Sequence, residues 1–522
     1  GSDTAEFYQA QSDAVRNDSF NWNTTLNEAM DKTGGNASFV VSAGDQIQTT
    51  KKKSPGKSEM TSEIEYTGYL SPDVLKSLPV ATTVGNHDAD NANYTYHFNT
   101  PNSSDLGSNG VVGGDYYFTY GNTLFMMLNT QDTNAAEHQQ FMDQAISANP
   151  NCTWRVVTLH QDIYGSAEHS NEPEITNLRY TLVPYFEAND VDVVLTGHDH
   201  AYSRTHILEG GHKTVEYTDD EFDAELKKDM DAGENPATRY EAPANISADS
   251  REPADVAYLN YLNAVMDKDA VEDTEKGETV VNPDGILYMT ANSSSGSKYY
   301  DLVPRMQSYI ANRWQEDVPT YSVIDVTDNT FTINTYRTDN DQKIDETFTI
   351  KKGVTEDIKS ASVGKVKNQV YTGKQIQPAL KVTLNGKTLK AGKDYTVTYT
   401  DNKNTGLAKA TINGTGKYTG TQTVTFKIVP KKAVLKTVKA EKSGTATVTI
   451  GKAGGKVSGY VIQVSTDPSY KKVTTYRTTK TTYTLKNLSK GKTYYVRVKA
   501  FTKVSDKNVY GAASKTIKVK AK

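Results

Sequence analysis

Four short stretches hold side chains that could bind a metal ion. They are Gly44-Asp45, Gly85-Asn86-His87-Asp88, His160 behind Val156-Val-Thr-Leu159, and Gly197-His198-Asp199-His200. Together they offer a carboxylate, an amide oxygen and several imidazoles. That mixture of donors suits zinc, iron or manganese better than calcium. Each stretch alone is a weak signal, since Gly-Asp is a common turn and His-x-His a common polar pair. Their shared placement, each just past a short apolar run, is the stronger one. Side chains two apart in an extended segment point the same way, so His198 and His200 are expected to share one site.

The apolar runs are the elements that must position these groups. Ser38 to Ala43, Leu78 to Val84, Leu124 to Leu128, Val156 to Leu159 and Val191 to Leu195 are short and continuous. Helix-like stretches separate them, such as Asn21 to Met30 with Trp22, Leu26 and Met30 on one stripe and a stop at Gly34-Gly35. Short continuous runs of this kind are strands buried on both faces of an α/β sheet. Residues just past the carboxyl ends of parallel strands converge on one edge. Residues 209–283 break the pattern: they are acidic and polar, with helices expected over 219–231 and 253–268. This insertion is expected to be solvated and to help wall the pocket. Strand signals return at 285–290 and 320–337.

The chain of 522 residues is long enough for several domains. No run reaches the ~18 apolar residues of a membrane-spanning helix. A single cysteine, Cys152, excludes an internal disulfide framework and a cysteine-based zinc site. The net charge of −5 hides two unlike parts. Residues 352–522 hold 35 Lys+Arg against 7 Asp+Glu, and residues 1–351 hold 23 against 56. We therefore expect a boundary near Lys351, with domains at 1–350, 351–430 and 431–522. The last two show alternating strands split by turns such as Leu384-Asn-Gly386, in pieces of β-sandwich size.

The four stretches resemble the calcineurin-like metallophosphoesterase family, within it the purple acid phosphatase branch, over roughly residues 19–340. The resemblance extends to Leu159-His-Gln-Asp-Ile-Tyr164, Tyr202-Ser-Arg-Thr205 and Asn292-Ser-Ser-Ser-Gly-Ser-Lys-Tyr299. It implies an α/β (α+β) sandwich followed by two all-β sandwich modules. It also implies two metal ions (zinc, iron or manganese) that supply a hydroxide nucleophile for phosphate-ester hydrolysis. By the same resemblance Asp45 bridges the ions, Asn86, His160 and His198 complete the ligand set of the second ion, and His200 binds the first ion. His87 stands beside the scissile phosphate, and His169 and Tyr164 are candidates for lining the pocket.

The sequence departs from the family in two places. Gln48 stands where purple acid phosphatases have their colour-giving tyrosine. A first strand ending in a metal-binding aspartate has no counterpart before the 21–30 helix. We expect that strand to lie upstream, in a longer protein.

Through Tyr371-Thr-Gly-Lys374, Gly392-Lys-Asp-Tyr-Thr-Val-Thr-Tyr399 and Gly414-Thr-Gly-Lys-Tyr-Thr-Gly420 the segment 351–430 resembles an Ig-like repeat of Firmicutes surface proteins. Through Tyr494-Tyr-Val-Arg-Val-Lys-Ala-Phe501 the segment 431–522 resembles a fibronectin type III module. These resemblances imply export to the exterior or surface of a Gram-positive bacterium, and contact of the basic tail with an anionic cell wall or glycan. Nucleic acid is not favoured, because no recognition helix or cluster of stacking aromatics is visible. Two functions stay open. One is an exported phosphoesterase acting on monoesters first and diesters second. The other is a surface adhesion or binding protein whose phosphoesterase domain is incomplete or inactive.

Overall fold

A computed structural model describes residues 2–49, 58–211, 213–232, 244–273, 279–296 and 298–522. Ser297, within the 292–299 motif, lies outside them, as do 212, 233–243 and 274–278 of the acidic insertion. The chain divides into two compact units, Gly1–Gly353 and Val354–Lys522.

In the first unit, helix α1 (Ser2–Lys32) leads into strand β1 (Val40–Ser42). Then come α2 (Ser58–Tyr69), β2 (Val80–Thr82), β3 (Tyr116–Tyr120), β4 (Thr123–Met127), α3 (Ala135–Ala148), β5 (Trp154–Thr158), α4 (Pro173–Ala188), β6 (Val193–Thr196) and β7 (Tyr202–Thr205). After the insertion with α5 (Asp219–Met230) and α6 (Pro253–Ala264) follow β8 (Thr279–Val281), β9 (Leu287–Thr290), β10 (Ile310–Trp314), β11 (Thr320–Val326), β12 (Thr330–Arg337) and β13 (Phe348–Lys351).

A seven-stranded sheet with order β10-β7-β9-β6-β5-β4-β3 forms the middle layer. Its β4-β5-β6-β9 centre is parallel. Every residue of β4, β6 and β9 is buried, which explains their unbroken apolar character. One face packs on α3 and α4 through Phe141, Met142, Leu182 and Phe186. The other meets Phe331, Ile333, Phe348 and Ile350 of a second sheet, ordered β8-β13-β12-β11. Tyr202 and Arg204, from the 202–205 motif, both donate to Asp345 and tie the layers together. That motif is structural.

The outer layer is interrupted. β1 pairs only with β2, in parallel from Val40↔Val80 to Ser42↔Thr82. β11 pairs only with β12. The free edges of β1 and β11 line one cavity of about 1250 Å³. Its apolar walls include Phe125, Leu195 and Met289 from the seven-stranded sheet and Trp22, Leu26 and Ala29 from α1, and much of its remaining lining is polar. Thr25 Oγ1 donates to the Ser294 carbonyl, which anchors α1 above the slot. Among the described residues no strand lies between β1 and β11.

The acidic insertion differs from its sequence reading. It has a core of its own, with Phe222, Leu226, Ile246, Tyr258, Tyr261 and Val265. It docks on α4, where Arg179 donates to the Val265 carbonyl and Tyr261 bonds Thr176. None of its described residues lines the large cavity.

The second unit is all β. Residues 354–429 form a four-stranded sheet around Gly406–Gly414 and Thr421–Val429, and a three-stranded one that includes Val382–Leu384. Asn385 and Gly386 both have positive φ (50° and 83°), as a two-residue hairpin turn requires. Residues 435–520 form two sheets around Val448, Ile462, Val496 and Val498.

Candidate metal centre

The ligand stretches sit where tight backbone turns leave the strand ends. After β1 the chain turns through Gly44 (φ 99°) and Asp45 (φ 53°). A side chain at Gly44 would meet His160 Nδ1 at 2.4 Å, and one at Gly85 would meet Asp45 Oδ1 at 2.1 Å. Both glycines are required so that three strand ends can close on one point.

His160, past β5, donates from Nδ1 to the Ala43 carbonyl at 2.7 Å. Its Nε2 then faces Asn86 Oδ1 at 2.9 Å, Asp45 Oδ2 at 3.2 Å and His198 Nδ1 at 3.2 Å. With His160 neutral, its Nε2 lone pair stands with the Asn86 and Asp45 oxygens and His198 Nδ1 around one point. Ligand atoms of Asp45, His160 and His198 all lie within 4.8 Å of one another. A cation satisfies such a set, and the chemistry of the donors fits a first-row metal ion. Without an ion, burial opposes charge on His160 and Asp45, yet their mutual attraction wins: His160 is raised and Asp45 lowered. A metal takes the place of that extra proton.

Burial, then the charge of His160, lowers His198 to about 3. Burial also lowers His200. Both imidazoles are therefore neutral, the form that binds metal. His200 Nδ1 donates to the Lys298 carbonyl at 2.7 Å, which leaves Nε2 as the lone pair. His198 and His200 line the same cavity, but not through strand alternation. The segment is a bend, and His198 has φ 67°. His200 stands outside the Asp45–His160–His198 cluster but lines the same cavity as Asp45, and among the described residues no third carboxylate or imidazole groups with these two. The residues present fit one ion fully and a second one only in part.

His87 anchors Nδ1 on the Gln48 carbonyl at 2.6 Å, while its backbone N–H donates to Asp45 Oδ1 at 3.0 Å. Its ring lines the cavity with Nε2 unclaimed by the main chain. Asp88 is structural: it accepts from Gly85 N–H and from the Tyr66 hydroxyl, and burial with the nearby Asp45 charge raises it to about 7. His169 lines the cavity with its ring 5.0 Å from that of His198. Burial works against its charge, but the Glu172 hydrogen bond and neighbouring carboxylates raise it to about 9.

Tyr164 needs correction as a pocket residue. It is 1% exposed, packs against Tyr288 and Tyr309, and donates to Asp267 Oδ2 at 2.8 Å. Its place beside a candidate ligand in sequence says nothing of direction, and here the ring points into the core that joins α4 to the insertion.

Several supports were not visible in the sequence. Gln315 donates to the His200 carbonyl. Glu65 accepts from the N–H groups of Gln48 and Thr49 and so holds the loop behind His87. Tyr300 sits against both His169 and His200. Of these, only Tyr300 adjoined a quoted motif.

Residues 17–202 match the calcineurin-like phosphoesterase family model, and residues 435–516 match the fibronectin type III domain model. An uncharacterized protein of Mycobacterium tuberculosis, found in two strains, is 28% identical over 157 residues. That is 25% of this chain and 29% of the relative, so the chain spans less than a third of the length of the curated relatives it matches. Among solved structures, a purple acid phosphatase from yellow lupin (Lupinus luteus) seeds aligns with a TM-score of 0.40 and 12% identity, over 63% of this chain and 49% of that one. The sixth fibronectin type III domain of human fibronectin type III domain containing protein 3 aligns with a TM-score of 0.15 and 22% identity, over 18% of this chain and 85% of that one. The chain thus carries a calcineurin-like phosphoesterase domain, followed by a β-rich region that holds a fibronectin type III domain.

Proposed function

We propose that the first unit hydrolyses phosphate esters, monoesters first and diesters second. The convergence of Asp45, Asn86, His160 and His198 on one point carries this reading. A metal ion held there would supply Lewis acidity and lower the pKa of water to make a nucleophile at neutral pH. The chain's own residues do the rest. The Ala43 carbonyl fixes the His160 tautomer. The Gln48 carbonyl orients His87 so that Nε2 can give a proton to the leaving oxygen. His169, held protonated by Glu172, adds positive charge beside the phosphate.

A second ion, bound by Asp45 and His200, would complete a clamp on the phosphate oxygens. A strand that fills the slot between β1 and β11 and ends in a carboxylate would finish its ligand set, because Asp45 and His200 line the same cavity as those two strand edges. Zinc, iron or manganese suits these donors. Export and attachment to an anionic wall rest on the charge of residues 352–522, with 35 Lys+Arg against 7 Asp+Glu.

The rival reading is a surface binding protein with an inactive phosphoesterase domain. The half-built set around His200 favours it. Metal analysis with a chromogenic phosphate monoester assay separates the two. One tightly held ion per chain with turnover supports the enzyme, and a metal-replete chain without turnover supports the rival.

A further inference from the structure

The rim of the metal centre carries a pair that the ligand set does not use. Lys298 Nζ lies 4.2 Å from the centre of the Tyr300 ring and donates to its hydroxyl at 2.6 Å. The Tyr300 ring stands 4.8 Å from His169, nearly at right angles, and 4.8 Å from His200. The Lys298 carbonyl also accepts the His200 Nδ1 proton. One residue therefore fixes a metal-side imidazole through its backbone and a phenol through its side chain.

The surroundings are acidic. Glu168 is raised by burial and by the Asp199 charge, and Glu172 by burial. These carboxylates would repel an anionic substrate. Among the described lysines and arginines only Lys32 and Lys298 line the cavity, and Lys32 is paired with Asp341. Lys298 is exposed at the mouth.

We propose that Lys298 and Tyr300 form a clamp for the second negative charge of a phosphate monoester, and so set a preference for monoesters over diesters. This deepens the phosphoesterase reading and rests on it. A monoester dianion has one more anionic oxygen than a diester. An ammonium and a phenol already in contact offer that oxygen two donors, one of them charge-assisted. The nearby carboxylates supply the other half of the selectivity, since a diester gains less from Lys298 to offset their repulsion.

The test uses the full chain with metal supplied. Calorimetry would compare inorganic phosphate with dimethyl phosphate in wild type, Lys298→Met, Lys298→Arg and Tyr300→Phe. In Lys298→Met, phosphate affinity should fall about 10- to 100-fold, while dimethyl phosphate changes less than about 3-fold. Lys298→Arg should restore most of the loss, and Tyr300→Phe should give a smaller one. The kcat/KM ratio for 4-nitrophenyl phosphate over its bis-ester should fall in step, mainly through KM. Equal losses on both ligands, or none on either, would overturn the clamp. If wild type binds phosphate selectively through Lys298 but cleaves neither ester, the clamp stands and the phosphoesterase reading fails.

Discussion

The two sides of Asp45 are built differently. On the His160 side Asp45 accepts from the His87 N–H and the four ligand groups lie against one another. The His160 tautomer is set by the Ala43 carbonyl, and the Gly44 and Gly85 turns leave no room for slack. On the His200 side the imidazole is oriented by the Lys298 carbonyl, but it looks toward a slot bounded by two unpaired strand edges. A metal site is pre-formed where the backbone around it is satisfied. Where the sheet is interrupted, the ligand set is interrupted with it. Unpaired strand edges are ready templates for another strand.

The largest expected effect lies on the built side. Asn86→Ala and His198→Ala should each cut phosphate-ester turnover by roughly 10²- to 10⁴-fold, because a lost ligand weakens stabilisation that exists mainly in the transition state. Metal content should fall while the circular dichroism spectrum stays close to wild type. Near-normal turnover in either variant at saturating metal would move the reaction away from this side of Asp45.

Next comes the strut between the layers. Asp345 is nearly buried and accepts from Arg204 Nε at 2.7 Å and from the Tyr202 hydroxyl at 2.6 Å. Asp345→Ala leaves the Arg204 charge without its carboxylate. It should cost about 3–5 kcal/mol of stability, read by denaturant melts. A loss below about 1 kcal/mol would mean that water replaces the pair, and that the layers need no strut.

A smaller effect separates His169 from the metal ligands. Its pKa is raised to about 9, so its contribution to stability is full below the unfolded value near 6.5. It is lost as pH climbs through about 9. Metal-free protein should therefore lose up to about 3 kcal/mol between pH 6 and 10, and Glu172→Gln should flatten that slope. An unchanged slope in Glu172→Gln would place the charge on His169 elsewhere.

The sequence made one side of the comparison far more legible than the other. Short apolar runs marked β4, β5 and β6 because both of their faces are buried, and polar residues just past them had to meet at one edge. Alternation did not explain His198 and His200, whose meeting depends on a left-handed turn at His198. Tyr164 shows the limit again: neighbours in sequence point to opposite layers, and only packing decides which. Gln315 and Glu65 reach the site from distant segments, and no local pattern announces such contacts. The acidic insertion was visible as two helices, but its own core was not, because Phe222, Tyr258 and Tyr261 are spread thinly among charges.

The smallest expected effect on catalysis concerns the second unit. Every described residue that lines the cavity precedes Gly353. Residues 354–522 contain no histidine and few carboxylates, so they are poorly equipped to complete a metal shell. A protein ending at Gly353 should keep its kcat/KM on a small chromogenic phosphate within about 3-fold, since distant and independent parts contribute separately. Its binding to anionic wall polymers should change much more. The strong positive charge of the removed part would make full-length binding fall steeply with added salt, as screening shortens its reach to about 8 Å near physiological ionic strength. Equal wall binding by both lengths would remove the attachment role from the basic unit. A collapse of turnover in the shorter protein would show that the second unit completes the site, and that the incomplete His200 side is finished from there and not by a strand in the slot.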